Sequence, residues 1–217
     1  MTEAVRRGPA SSQVWLALAV GLYSYTVWLM LEITLQYIPI RPDIAFLAIK
    51  QDYVPLLHYR VAFFVHVFSA LLVLVAGYTQ FSARLRRLNP SLHRRVGWLY
   101  VVVTILLAGP SGLVLGIYAN GGVTSQIAFC TLAILWMLFT IKATIEVSRR
   151  RIAAHRRWMI RSFALALSAI TLRAWKVLLV YLFHPRPMDV YQVVAWLGWT
   201  LNLLIAEILL YRERIRK

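Results

Sequence analysis

The chain has 217 residues, 60% of them hydrophobic, with a mean hydropathy of +0.67 and a formal net charge of +16. Such apolarity lies beyond that of ordinary soluble domains, in which roughly half the residues are apolar, and it excludes a water-soluble globular fold. The charge does not mark a nucleic-acid binder either: Lys and Arg gather in short loops and at the ends of apolar runs, where they orient helices in a membrane.

In chain order, six apolar runs reach the length of about twenty residues that crosses a bilayer: residues 14–38, 57–80, 96–118, 123–145, 158–183 and 190–211. They predict an all-α polytopic membrane protein, a bundle of six transmembrane helices. Residues 1–13 form a cytoplasmic N-terminal segment, 14–211 the transmembrane domain and 212–217 a basic cytoplasmic tail. The first run follows Arg6 and Arg7 but is much longer than a signal-peptide core of about 7–15 residues, and no small-residue cleavage site follows it, so it is expected to stay as a helix. The segment 39–55 is long enough to lie across the outer mouth of the bundle. In the third run, Pro110 predicts a kink, and Gly112 and Gly116 a small-residue face for close helix contact. Cys130 falls mid-helix, where a single thiol is a small buried hydrophobe and leaves no disulfide or thiolate metal site. Trp15, Trp98 and Trp158 stand near one interface, as an aromatic belt does.

With the N-terminus inside, the cytoplasmic side carries eighteen Lys and Arg residues and the outer side four, Arg41, Lys50, Arg60 and Arg186. Positive charge stays inside, so both termini are expected in the cytoplasm. The densest charge comes twice: "LHRRVGWLY" (92–100) and "AHRRWMIRS" (154–162) put His93-Arg94-Arg95 and His155-Arg156-Arg157 at the openings of the third and fifth runs.

Four ionisable residues remain inside the membrane: Glu32, Arg173, Lys176 and Glu207. Each costs at least about 2.5–3.5 kcal/mol at a helix centre unless paired or hydrated, and together they sum to zero, as pairing predicts. Counted at 1.5 Å per residue, Glu32, His66, Arg173 and Lys176 fall in the outer leaflet and are expected to form one cluster, with Glu32 the partner of Arg173. Glu207 lies level with Arg161, His93 and His155 and is expected to form a second, inner cluster. A straight fifth helix would carry Arg161, Ser162, Ser168, Arg173 and Lys176 along one stripe joining the two. Asn202, mid-helix in the last run, is expected to hydrogen-bond a neighbouring helix.

His66, "GYTQF" (77–81), "LHRRVGWLY", Trp136, "HRRWMIRSFAL" (155–165), "TLR" (171–173), Trp196, Trp199, Asn202 and Glu207 together resemble an uncharacterised family of bacterial membrane proteins, domain of unknown function 2306, over about residues 60–211. The resemblance implies a six-helix integral membrane protein of the bacterial inner membrane with its site among these residues, and brings no activity with it. A looser similarity is to six-helix b-type cytochromes. There it implies a b-type haem, its iron between His93 and His155 and its propionates near Arg94, Arg95, Arg156 or Arg157; no other metal is expected.

Three functional readings follow. The first is electron transfer through haem b or a quinone, using His93, His155, Arg161 and the outer His66. The second is binding or transport of an anionic amphiphile or lipid, drawn by the arginine-bearing helix starts and by Arg173 with Lys176. The third is a non-catalytic subunit whose basic cytoplasmic face holds anionic lipid head groups or other membrane subunits. Hydrolase chemistry finds no support: the chain has no His-Glu-x-x-His, Gly-x-Ser-x-Gly or phosphate-cradling P-loop.

Overall fold

A polar backbone inside hydrocarbon must satisfy its own hydrogen bonds, which leaves helices for a chain without barrel alternation. The computed structural model describes residues 9–215, and all regular structure within them is helical. Arg6, Arg7, Arg216 and Lys217, counted in the charge balance above, lie outside the described residues.

The helices are α1 (Pro9–Leu35), α2 (Leu57–Gln80), α3 (Ala83–Leu88), α4 (Pro90–Val102), α5 (Gly109–Ile117), α6 (Gly122–Ser148), α7 (Ile152–Ala166), α8 (Ser168–Phe183) and α9 (Pro187–Ile215). Among the described residues, five spans are long and apolar enough to cross a membrane, or six with the bent pair α7–α8 as one span. The chain is a multi-pass, all-helical membrane protein.

Three local features depart from the sequence reading. α4 and α5 are one span, Pro90–Ile117, and where the sequence predicted a kink at Pro110 a π-helical stretch, Val103–Ala108, stands just before the proline. A wider turn accommodates a residue that lacks an N–H without a sharp break. The fifth span is not straight: it bends by 41° at Leu167. Thr171 accounts for the bend. Its hydroxyl lies 3.1 Å from the Leu167 carbonyl and 2.6 Å from the Gly198 carbonyl on α9, and it accepts from Asn202 Nδ2 at 3.0 Å. The Leu167 carbonyl also keeps its bond from the Thr171 N–H, at 3.0 Å, and a hydroxyl that shares the carbonyl one turn back in this way often bends a helix. The third departure is α3, a short basic helix in what the sequence left as a loop, capped by Ser82 at 3.1 Å; Asn89 caps α4 at 2.9 Å with Pro90 at the first position.

The glycines act as expected where helices touch. Gly112 lies against the His66 ring on α2, and Gly116 against the backbone of α6 at Phe129 and Cys130. The bundle centre is polar as well as apolar. Tyr100 Oη lies 2.7 Å from Ser162 Oγ and accepts from Trp136 Nε1 at 3.2 Å, while Thr140 Oγ1 lies 2.8 Å from Ser162 Oγ. Tyr100, Thr140 and Ser162 are almost wholly buried. These bonds join α4, α6 and α7 where no water competes for them.

On the face opposite the basic loops, residues 39–55 fold over the end of the bundle, as expected from their length. Leu47 is fully buried and Lys50 is 3% exposed. Lys50 Nζ donates to the Tyr118 carbonyl at 2.5 Å and stands 5.0 Å from the Tyr53 ring and 5.9 Å from that of Phe46. Burial there pulls its pKa below the usual lysine value.

Candidate functional site

Below this loop lies a cavity of about 530 Å³. At its end nearest the loop stand Lys50, Tyr37 and Tyr118; its floor, at the far end, is Trp136, Leu165 and Val73. Leu57 to Val73 on α2 is sixteen residues, so the floor lies about 24 Å below the start of that helix. Most of the wall is Ala, Leu, Val and Phe, but four basic side chains reach it: Lys50, His66, Arg173 and Lys176. Among the described residues no Asp or Glu lines it.

Arg173 is the central charge. It acts electrostatically on His66, Tyr37 and Tyr191, all of which line the same cavity. Its guanidinium donates to the Ala169 carbonyl at 2.5 Å and makes no ion pair among the described residues. The side chain is exposed in the sense that it borders the cavity, while protein surrounds it on the other sides.

The expected partnership of Glu32 with Arg173 is not formed. Glu32 is exposed on α1 and accepts from Trp28 Nε1 at 3.1 Å. Depth along the helix places Glu32 level with the cluster, but its angle around the helix does not. The buried residues of α1 are Val27, Met30 and Thr34, and Glu32, two residues past Met30, stands about 200° around the axis from it. Glu32→Leu is therefore expected to leave ligand binding intact and to shift stability by no more than about 0.5 kcal/mol in thermal unfolding. The other three members of the outer cluster, His66, Arg173 and Lys176, do share one space.

His66 is held with care. Its Nδ1 is 2.9 Å from the Ala108 carbonyl, at the end of the π-helical stretch, and 3.5 Å from Ser111 Oγ. A Cβ on Gly112 would stand 2.9 Å from His66 Cε1, so glycine makes room for the ring.

The inner cluster is formed only in part. Arg161 and Glu207 pair in two parallel bonds, 2.5 Å and 2.8 Å, and Arg156 pairs with Glu213 the same way. Both pairs tie α7 to α9 and line a second cleft, of about 620 Å³, with Arg157 and Arg214. The Arg161 guanidinium also lies 4.8 Å from the centre of the Trp158 ring. His93 and His155 line neither space. His155 Nδ1 is 2.8 Å from the Ala143 carbonyl on α6. His93 Nδ1 is buried without a hydrogen-bond partner among the described residues. Arg94 is exposed, and Arg156 is engaged by Glu213 rather than left for a propionate. The stripe expected to join the two clusters is broken by the bend at Leu167, and Ser162 turns into the buried Tyr100 network. Asn202 bonds across helices as expected, donating to the Ala164 carbonyl at 3.1 Å and to Thr171.

The family model described as "Predicted membrane protein (DUF2306)" matches residues 63–210, about two thirds of the chain. The chain belongs to the DUF2306 family. No curated protein and no solved structure matches it. The DUF2306 region supplies His66, Arg173, Lys176 and the floor of the large cavity; α1 and the loop bearing Lys50 lie before it.

Sequence reasoning missed Lys50 and the tyrosines Tyr37, Tyr118 and Tyr191. The signal was present in the loop itself, whose "AFLAI" and Tyr53 are too apolar for a segment bathed in water.

Proposed function

We propose that this integral membrane protein binds an amphiphile with an anionic head group in the cavity beneath the 39–55 loop. The observation that carries the reading is the charge of the wall: Lys50, His66, Arg173 and Lys176 without a single carboxylate. A cation inside a membrane is retained where it has a partner, and when the protein supplies none, an anionic ligand is the natural one. The apolar depth below suits a hydrocarbon chain.

Access from the lipid fits the packing. α1 meets α8 only lightly, at mid-membrane, where Val27 and Met30 pack with Ala169 and Ile170. Beyond that point residues toward the loop end of both segments, Ile33 and Tyr37 and Arg173 and Lys176, line the cavity. We place the basic loops in the cytoplasm, by the eighteen-to-four division of charge, and the protein in the bacterial inner membrane with the cavity opening outward. The cleft of Arg156, Arg157, Arg161 and Arg214 then faces cytoplasmic lipid head groups.

The test is organic extraction of protein purified in mild detergent, followed by mass spectrometry and an absorbance spectrum. An anionic lipid near one equivalent, lost in Arg173→Gln, is the expected result. Protein carrying no anionic lipid above the detergent background would overturn it. A Soret band abolished by His93→Ala or His155→Ala would transfer the function to haem between those two rings.

A further inference from the structure

The way His66 is held bears on the chemistry of the head group. A backbone carbonyl can only accept, so the Nδ1 of His66, 2.9 Å from the Ala108 oxygen, carries the ring proton. A neutral ring then offers the Nε2 lone pair. Among the described residues Nε2 has no hydrogen-bond partner, and it is not closed off from the cavity that the ring lines. A histidine that merely ties α2 to α5 needs only the Nδ1 bond. Here the π-helical stretch, Ser111 and the missing Cβ of Gly112 also fix the ring, its second nitrogen is left without a hydrogen-bond partner among the described residues, and the ring lines the same cavity as Arg173 and Lys176.

We infer that His66 Nε2 accepts a hydroxyl proton from the bound head group, and that this head group is a phosphate monoester. The inference rests on the anion-binding reading of the cavity and deepens it. A phosphate monoester that keeps one proton combines both required features on one atom: a P–OH that donates, and charged oxygens that accept from Arg173 and Lys176. A phosphodiester keeps the charge but has no P–OH. An ionised carboxylate is an acceptor only and would turn its lone pairs toward that of Nε2. A lipid phosphate and a free alkyl phosphate share this chemistry, and the long apolar floor favours a chain-bearing one.

Three probes with the same chain decide the matter: dodecyl phosphate, methyl dodecyl phosphate and laurate, titrated into the full-length protein in detergent and followed by native mass spectrometry. Wild type is expected to bind the monoester at least about tenfold more tightly than the diester or laurate, the worth of one hydrogen bond to a charged partner. His66→Phe is expected to lower affinity for dodecyl phosphate about tenfold and to change that for the other two by less than about twofold. His66→Gln, which returns an acceptor oxygen, is expected to recover part of the loss. Equal binding of the three probes by wild type, or equal weakening of all three in His66→Phe, would overturn the assignment while leaving the anion site standing. Should none of the three bind and Arg173→Gln change nothing, the anion site itself fails and this inference with it. If His66→Phe does not fold, the wild-type ranking and the His66→Gln series decide the question alone.

Discussion

Arg173→Gln is expected to make the ligand-free protein more resistant to heat while removing its ability to hold an anion. Few substitutions inside a bundle have this pair of effects. The charge of Arg173 is met by one backbone carbonyl and by no carboxylate among the described residues, so the protein bears a cost that hydration through the cavity only partly offsets. Glutamine keeps a donor for the Ala169 carbonyl and discards that cost, and a rise of about 1 kcal/mol or more is the order expected when an uncompensated functional group is removed. Ligand affinity is expected to fall by about 1.5–3 kcal/mol, the range for a hydrogen bond to a charged group. Thermal unfolding of delipidated protein, with and without dodecyl phosphate, reads both quantities. A structural arginine would give the opposite sign: lower stability in the variant and the same stabilisation by ligand.

The second large effect lies at the other end of the bundle. Arg161 and Glu207 make a two-bond pair whose side chains are 20% and 45% exposed. Breaking a fully buried pair costs about 3–5 kcal/mol; water reaching Glu207 screens part of this, and about 1–3 kcal/mol is expected for Glu207→Leu. Arg161 keeps its contact with the Trp158 ring, so Arg161→Leu loses packing as well as charge and is expected to be the more damaging. The double variant should recover part of the sum, because it leaves neither charge alone. Simple additivity in thermal unfolding would show that the two residues are uncoupled. None of these three variants should alter the ranking of the three phosphate and carboxylate probes, because the cleft holding the pair shares no lining residue with the cavity beneath the 39–55 loop.

Much of the fold was legible because a bilayer imposes length and apolarity on every span. α2 begins and ends where the apolar run does, Leu57 to Gln80. What hydropathy does not carry is direction around a helix. In water an apolar stripe points to the core; in lipid the outer face is apolar too, and α1 reads alike on every side. Glu32 was therefore placed at the right depth and on the wrong face. The bend at Leu167 was hidden for a related reason: no proline or glycine marks it, and the group responsible, the Thr171 hydroxyl, acts through a carbonyl on a different span. Of the site, Arg173, Lys176 and His66 were legible as residues that a membrane tolerates only for a reason. Lys50 was not, since a lysine in a loop reads as solvated until the loop is seen to fold inward over aromatic rings.

The imbalance of charge in the large cavity has an electrical consequence. Arg173 lies ten residues from the end of α8 at Phe183, about 15 Å of a hydrocarbon layer about 30 Å thick. An anion that travels from the mouth to Arg173 therefore crosses about half of the transmembrane voltage. At about 2.3 kcal/mol per elementary charge per 100 mV, that is about 1 kcal/mol for each 100 mV, or about a sixfold change in occupancy. In the orientation proposed above, with the cavity opening outward from a bacterial inner membrane whose inside is negative, the field pushes the anion back out, and collapsing the potential fills the site. The same protein would then hold its ligand more tightly in a de-energised cell than in a respiring one.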